Sequence, residues 1–208
     1  MKLARDGLTT IGGLSSMVLG GWFISPWVSV ILAFPLALSV WFYRDPERVP
    51  EASSGWVSPA DGRVVEIEEA DHEYTGRVTK IGIFMNGLDV HVNRFPVSGR
   101  VEYVKYVPGK KWFAIAPKAS EINERFYVGA ESENGRFLLV QIAGILARRI
   151  VCRVSKGDTL DRGKRYGMIK LGSKVDVYLP SSVVPAVKIN SRVVAGQTVI
   201  GVIKNEKT

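Results

Sequence analysis

A serine can cut its own chain when its hydroxyl is held against the carbonyl carbon of the residue before it, and one stretch here carries the parts. In Tyr166-Gly167-Met168-Ile169-Lys170-Leu171-Gly172-Ser173-Lys174-Val175-Asp176-Val177-Tyr178-Leu179-Pro180 a Gly-Ser pair breaks a run of strand-forming residues. Gly172 has no Cβ, so it can hold backbone conformations closed to other residues and leaves its carbonyl open to attack. Ser173 is a weak nucleophile at neutral pH and needs a neighbouring base. The chain has only two histidines, His72 and His91, to supply one. Each residue also has a plainer reading. Gly-Ser pairs punctuate turns, Asp61 in Pro59-Ala60-Asp61-Gly62 can be a turn former, and His91 can make a structural hydrogen bond at a strand end.

Four motifs taken together choose between these readings: Phe42-Tyr43-Arg44-Asp45-Pro46-Glu47-Arg48, Ser58-Pro59-Ala60-Asp61-Gly62, Asp89-Val90-His91-Val92-Asn93-Arg94-Phe95-Pro96 and the stretch around Gly172-Ser173. In that order and at those separations the chain resembles the pyruvoyl-dependent phosphatidylserine decarboxylases, in the short form that includes archaetidylserine decarboxylases. The resemblance runs from about Arg44 to about Val202. It implies a proenzyme that cleaves itself between Gly172 and Ser173 into a large β chain (1–172) and a small α chain (173–208). It implies that Ser173 becomes a pyruvoyl group, the covalent cofactor, which takes a serine phospholipid as a Schiff base and releases CO2. It further implies His91 as the base and later proton donor, with Asp61 as the carboxylate that orients it. A phosphodiester headgroup also calls for cations, for which Arg94, Lys110 and Lys111 are candidates. Two positions depart from the longer bacterial members. Arg94 stands where those carry a second histidine, and Lys174 stands where threonine commonly follows the serine.

These residues need a scaffold, and composition divides it in two. No charged side chain occurs between Asp6 and Arg44, a stretch rich in Leu, Val, Ile, Trp and Phe. It exceeds the roughly 20 residues of one membrane span and falls short of two. Ser25-Pro26 near its middle reads as a turn, so residues 1–48 are expected to form an apolar helical hairpin that anchors the chain in a membrane as two short spans or a re-entrant pair. Lys2 and Arg5 at one end and Arg44 and Arg48 at the other place both ends on the cytoplasmic face of the cell membrane. A secretory signal would have a shorter apolar core and a cleavage site.

Residues 49–208 read differently. Short apolar runs predict strands at 62–67, 79–84, 101–107, 125–128, 136–142, 149–154 and 174–179, hence a mainly β domain. Two similar segments, Val154 to Leu160 and Val194 to Gly201, each read as strand, glycine turn and return strand, as in a barrel-sandwich hybrid. That fold also serves lipoyl and biotinyl carriers, but neither carrier lysine tripeptide occurs. The formal net charge of +8 suits an acidic partner surface. It is dispersed and lacks an aromatic-basic motif, which favours anionic lipid over nucleic acid. Cys152 has no partner for an internal disulfide and reads as packing.

Two other functions fit parts of the pattern. A membrane-tethered zinc endopeptidase of β fold would use the Asp61 and His91 segments, but catalytic zinc usually takes three protein ligands rich in histidine, and no metal is expected. A non-enzymatic lipid-anchored interaction module would keep its chain intact.

Overall fold

The computed structural model describes residues 2–110, 112, 122–144, 150–170 and 172–204. The chain separates into two compact units, Met1–Glu47 and Arg48–Thr208.

In the first unit, helix α1 (Leu8–Trp22) turns back into α2 (Pro26–Phe42). Pro26 takes the first helical position, where its missing N–H costs nothing. The arms pack closely because Gly21 faces Val28 and Leu32, and the Ser29 hydroxyl donates to the Val18 carbonyl at 2.8 Å. The hairpin closes at its base, where Ala4 N–H reaches the Tyr43 carbonyl and Asp45 N–H the Lys2 carbonyl, each at 2.8 Å. A Cβ on Gly7 would lie 2.2 Å from the Tyr43 ring, so only glycine fits there. No helix among the described residues is long and apolar enough to cross a membrane. At about 1.5 Å per residue the arms reach only ~22 and ~26 Å, short of a ~30 Å hydrocarbon core.

The second unit is mainly β. Its strands in chain order are β1 (Trp56–Val57), β2 (Gly62–His72), β3 (Gly76–Met85), β4 (Val92–Arg94), β5 (Gly99–Val107), β6 (Arg125–Ser132), β7 (Gly135–Ile142), β8 (Ile150–Cys152), β9 (Thr159–Leu160), β10 (Arg165–Ile169), β11 (Ser173–Leu179), β12 (Val183–Pro185), β13 (Arg192–Val193) and β14 (Val199–Ile203). A curled half-barrel sheet in the order β13-β2-β3-β11-β7-β6-β5-β9 faces two three-stranded sheets, β1-β14-β12 and β4-β10-β8, with antiparallel pairing throughout. Period-two alternation sends Ile81, Ile83 and Met85 of β3, Phe137 and Leu139 of β7, and Val175, Val177 and Leu179 of β11 into one shared core. The opposite face of the curl holds Leu138, Val140 and Ile142 under Tyr74, Tyr103, Tyr127 and Tyr178.

Three expectations change. The strand expected over 62–67 runs on to His72, so this histidine ends a strand. Its ring stacks on Tyr127, with centroids 5.6 Å apart, and its Nδ1 accepts the Tyr74 N–H. Neither look-alike segment is a hairpin. Around Gly157 a turn caps β5, its N–H donating to the Val101 carbonyl, and only Thr159–Leu160 is strand. The 194–198 turn links β13 to β14, which belong to different sheets. It is held by its own groups, Val194 N–H on the Thr198 hydroxyl, and by Gly196 N–H on the Ser58 carbonyl.

Candidate active site

The chain leaves β10 at Ile169, whose N–H donates to the His91 carbonyl at 3.3 Å, and enters β11 at Ser173, whose register partner on β3 is Met85. Gly172 between them has φ +60°, in the left-handed region that favours glycine. Nothing lies within 4 Å of the place a Cβ would occupy, so conformation rather than space demands glycine here. Ser173 is fully buried, and among the described residues its Oγ has no hydrogen-bond partner. An unpaired buried hydroxyl costs about 1–3 kcal/mol, so this one asks for an explanation.

His91 is also fully buried, just ahead of β4. Its Nδ1 lies 2.8 Å from the Asp89 carbonyl oxygen. A carbonyl can only accept, so Nδ1 carries a proton, and in the neutral ring Nε2 then holds the lone pair, which is the tautomer a base requires. The Asp89 side chain fixes that carbonyl in place: Oδ2 accepts the Asn86 N–H at 2.9 Å and Oδ1 pairs with Arg192 at 2.7 Å.

Asp61 is placed differently from the expected relay. Its Oδ2 pairs with Arg48 at 2.9 Å and its Oδ1 accepts the Ala195 N–H at 2.8 Å. Both oxygens are engaged away from His91, so the group that orients the imidazole here is the Asp89 backbone. The turn carrying Asp61 is pressed against β3, since a Cβ on Gly62 would lie 2.1 Å from the Phe84 carbonyl oxygen. Arg94 is buried, and its guanidinium donates to the Gly163 carbonyl at 3.0 Å while its stem packs beneath Gly196. Lys110 is exposed, and Lys111 lies outside the described residues. Of the three candidate headgroup cations, Arg94 is thus built into the fold.

Motif reading passed over a buried amide pair. Gln141 Nε2 donates to Asn93 Oδ1 at 2.8 Å, Asn93 Nδ2 sits 3.7 Å from the Met85 sulfur, and Gln141 Oε1 has no partner among the described residues. Gln141 pairs in register with Val175, two residues from Ser173, so both side chains share the core face. The available signal was one polar residue inside the apolar run Phe137 to Ala143. Arg48, the last residue of the first motif and a flanking charge of the hairpin in the sequence, holds Asp61 in the structure. Cys152 is partly buried in β8, which pushes its thiol pKa up and away from reactivity. Among the described residues no three His, Cys, Asp or Glu side chains converge as metal ligands would.

A family model described as phosphatidylserine decarboxylase matches residues 36–201. The chain is 47% identical over 203 residues to the phosphatidylserine decarboxylase proenzyme of Oleidesulfovibrio alaskensis, covering 96% of this chain and 91% of that one. It is 43% identical to the protein of the same name from Symbiobacterium thermophilum, covering 96% and 94%, and 43% identical to that of Carboxydothermus hydrogenoformans, covering 98% of each.

Proposed function

The chain belongs to the phosphatidylserine decarboxylase family, and from that premise we propose that it is a self-processing decarboxylase of serine phospholipids, acting in phospholipid biosynthesis. The observation that carries the self-processing is the buried, unpartnered Ser173 hydroxyl next to a left-handed glycine. Ser173 Oγ attacks the Gly172 carbonyl carbon while His91 Nε2 takes the hydroxyl proton. The C–N bond breaks as His91 passes that proton to the amine of residue 173, and an ester joins Gly172 to the Ser173 oxygen. Loss of the Ser173 Cα proton then expels the Gly172 carboxylate and leaves a dehydroalanine end. Water replaces its nitrogen, releasing ammonia and leaving a pyruvoyl group.

The position fits such a group, because an unpaired polar atom already occupies it and the space beside Gly172 is open. When present, a pyruvoyl carbonyl condensed with the substrate amine supplies an electron sink for departure of CO2. The residues of this chain do the rest. His91 is assigned the return of a proton to the carbon that loses CO2. Asp89 holds His91 in the required tautomer, and Lys110 is the exposed candidate for the headgroup phosphate. Asp61 acts at a distance, by tying Arg48 and the 194–198 turn to the 58–62 turn.

Substrate of this kind lies in a bilayer, and the hairpin suits one. Trp22, Phe23, Ile24 and Trp27 are exposed at its tip. Arms shorter than a span fit insertion from the cytoplasmic face without crossing. The deciding experiment is intact mass measurement of the purified full chain. The expected result is two chains, 1–172 and 173–208, with the small one beginning at a pyruvoyl group. A single uncut mass from active protein overturns the reading.

A further inference from the structure

Behind Ser173, on the face of β11 turned away from the core, lies a set of charges that the chemistry above does not use. Alternation along β11 puts Lys174, Asp176 and Tyr178 on this face, where a half-exposed strand would show them to water. Instead Lys174 is 3% exposed and Asp176 1%. Lys174 Nζ pairs with Glu66 Oε2 and lies 3.1 Å from Asp176 Oδ1. Lys80 joins from β3, 3.4 Å from the same Glu66 oxygen and 2.5 Å from Glu68.

Geometry shows how Lys174 reaches that far. Glu66 on β2 and Asp176 on β11 are both register partners of Gly82 on β3, so the three stand in a row across three strands. A Cβ on Gly82 would lie 2.6 Å from Lys174 Cε and 3.0 Å from Glu66 Oε2. The missing side chain is the passage through which the lysine stem crosses β3. The pairing is strong enough to matter electrostatically: burial pushes the Glu66 pKa up, yet contact with Lys174 and Lys80 brings it below the ordinary carboxylate value. Withdrawing each ion from water costs several kcal/mol, and what such a cluster secures best is register.

The register it secures is that of the residue after the scissile bond. We propose that Lys174 is a positioning residue that holds the new end of the small chain in place, by reaching across β3 to Glu66 of the large chain, once the 172–173 bond is cut. The proposal rests on the self-cleavage reading. In the uncut chain Ser173 is tethered from both sides. After cleavage it is the first residue of β11, and strand ends fray unless something pins them. Lys174, one residue in, replaces the lost tether.

The test uses full-length protein carrying Lys174→Met, which keeps the stem and removes the charge. The double variant Lys174→Met/Glu66→Gln stands beside it, since it removes the pair without leaving that carboxylate unpaired. Hydrogen exchange is read by mass spectrometry on the peptide spanning 174–179, in cut protein and in the uncut Ser173→Ala background. Turnover is read on serine phospholipid in detergent. Cut variants should exchange about tenfold faster at the start of β11 than the same variants uncut, and lose about tenfold in kcat with KM nearly unchanged. Equal exchange in cut and uncut variants, or wild-type kcat in either cut variant, overturns the proposal. Failure of both variants to cut and fold also overturns it, because the cluster would then be needed before the bond breaks. Wild-type protein that stays whole instead removes the self-cleavage reading on which the proposal stands.

Discussion

The two faces of β11 are both buried, yet they treat polar atoms in opposite ways. On the core face, Val175, Val177 and Leu179 pack among hydrocarbon, and the polar atoms near the strand's start, Ser173 Oγ and Gln141 Oε1, have no partner. On the other face, Lys174 meets two carboxylates and Glu66 is held by two lysines. One face carries unsatisfied groups where chemistry is proposed, and the other carries paired charges where position is needed. An unpaired hydroxyl is a cost tolerated at one place, whereas a paired charge adds to the ladders with β3 and β7 in fixing the register of the strand.

The sharpest way to break this contrast is Ser173→Ala. Cleavage should stop altogether, read as a single band on a denaturing gel. The uncut variant should also be more stable than uncut wild-type chain by about 1 kcal/mol in urea, because the unpaired hydroxyl is gone. Lower stability would mean that the hydroxyl has a partner after all. His91→Ala comes next: cleavage followed on a gel over time should slow by about 10²- to 10⁴-fold, the usual worth of a positioned base. Wild-type speed would make His91 structural.

The opposite face gives a smaller effect of another kind. Asp176→Ala in the Ser173→Ala background should cost about 3–5 kcal/mol by urea denaturation, since a buried lysine loses a counter-charge. A loss under 1 kcal/mol would show the face to be wet. Asp61→Asn should slow cleavage only modestly, because it weakens the Arg48 pair without touching the His91 tautomer. An effect as large as that of His91→Ala would return Asp61 to the relay.

The smallest effect concerns His72, in the tyrosine cluster of that same face. Burial lowers its pKa below the ordinary 6.5. Above 6.5 the ring is neutral folded or unfolded, and its contribution to stability is complete. As pH falls below 6.5 the unfolded chain takes up the proton first, so stability drops until pH has passed the lowered folded value. Urea denaturation across this window should show that loss in the Ser173→Ala chain and not in its His72→Phe derivative. A chain with no loss there would place His72 in water.

Much of the scaffold was legible because its signals are local. Pro26 ended one helix and opened the next, and alternation located the strands from Thr79 to Phe84 and from Lys174 to Leu179 within a few residues. The hairpins expected around Gly157 and Gly196 failed because a glycine turn reports only that the chain bends. Which sheet each arm joins depends on strands far away in sequence. Gly172, Ser173 and His91 could be picked out by type and motif, but the tautomer of His91 could not, since it is set by a backbone carbonyl that carries no residue signature.

What the sequence by itself determined is the apolar hairpin, the β character of the remainder and the identity of the Gly-Ser pair, all consequences of hydrophobic period and backbone freedom. Only the tertiary structure decided that Asp61 binds Arg48 and Ala195 instead of His91, and that Lys174 and Asp176 are buried. Alternation predicts a polar face but not what covers it. That face is buried, with Tyr74, Tyr103, Tyr127 and Tyr178 packed on it, and a glycine on the neighbouring strand lets a lysine reach a glutamate 108 residues earlier in the chain.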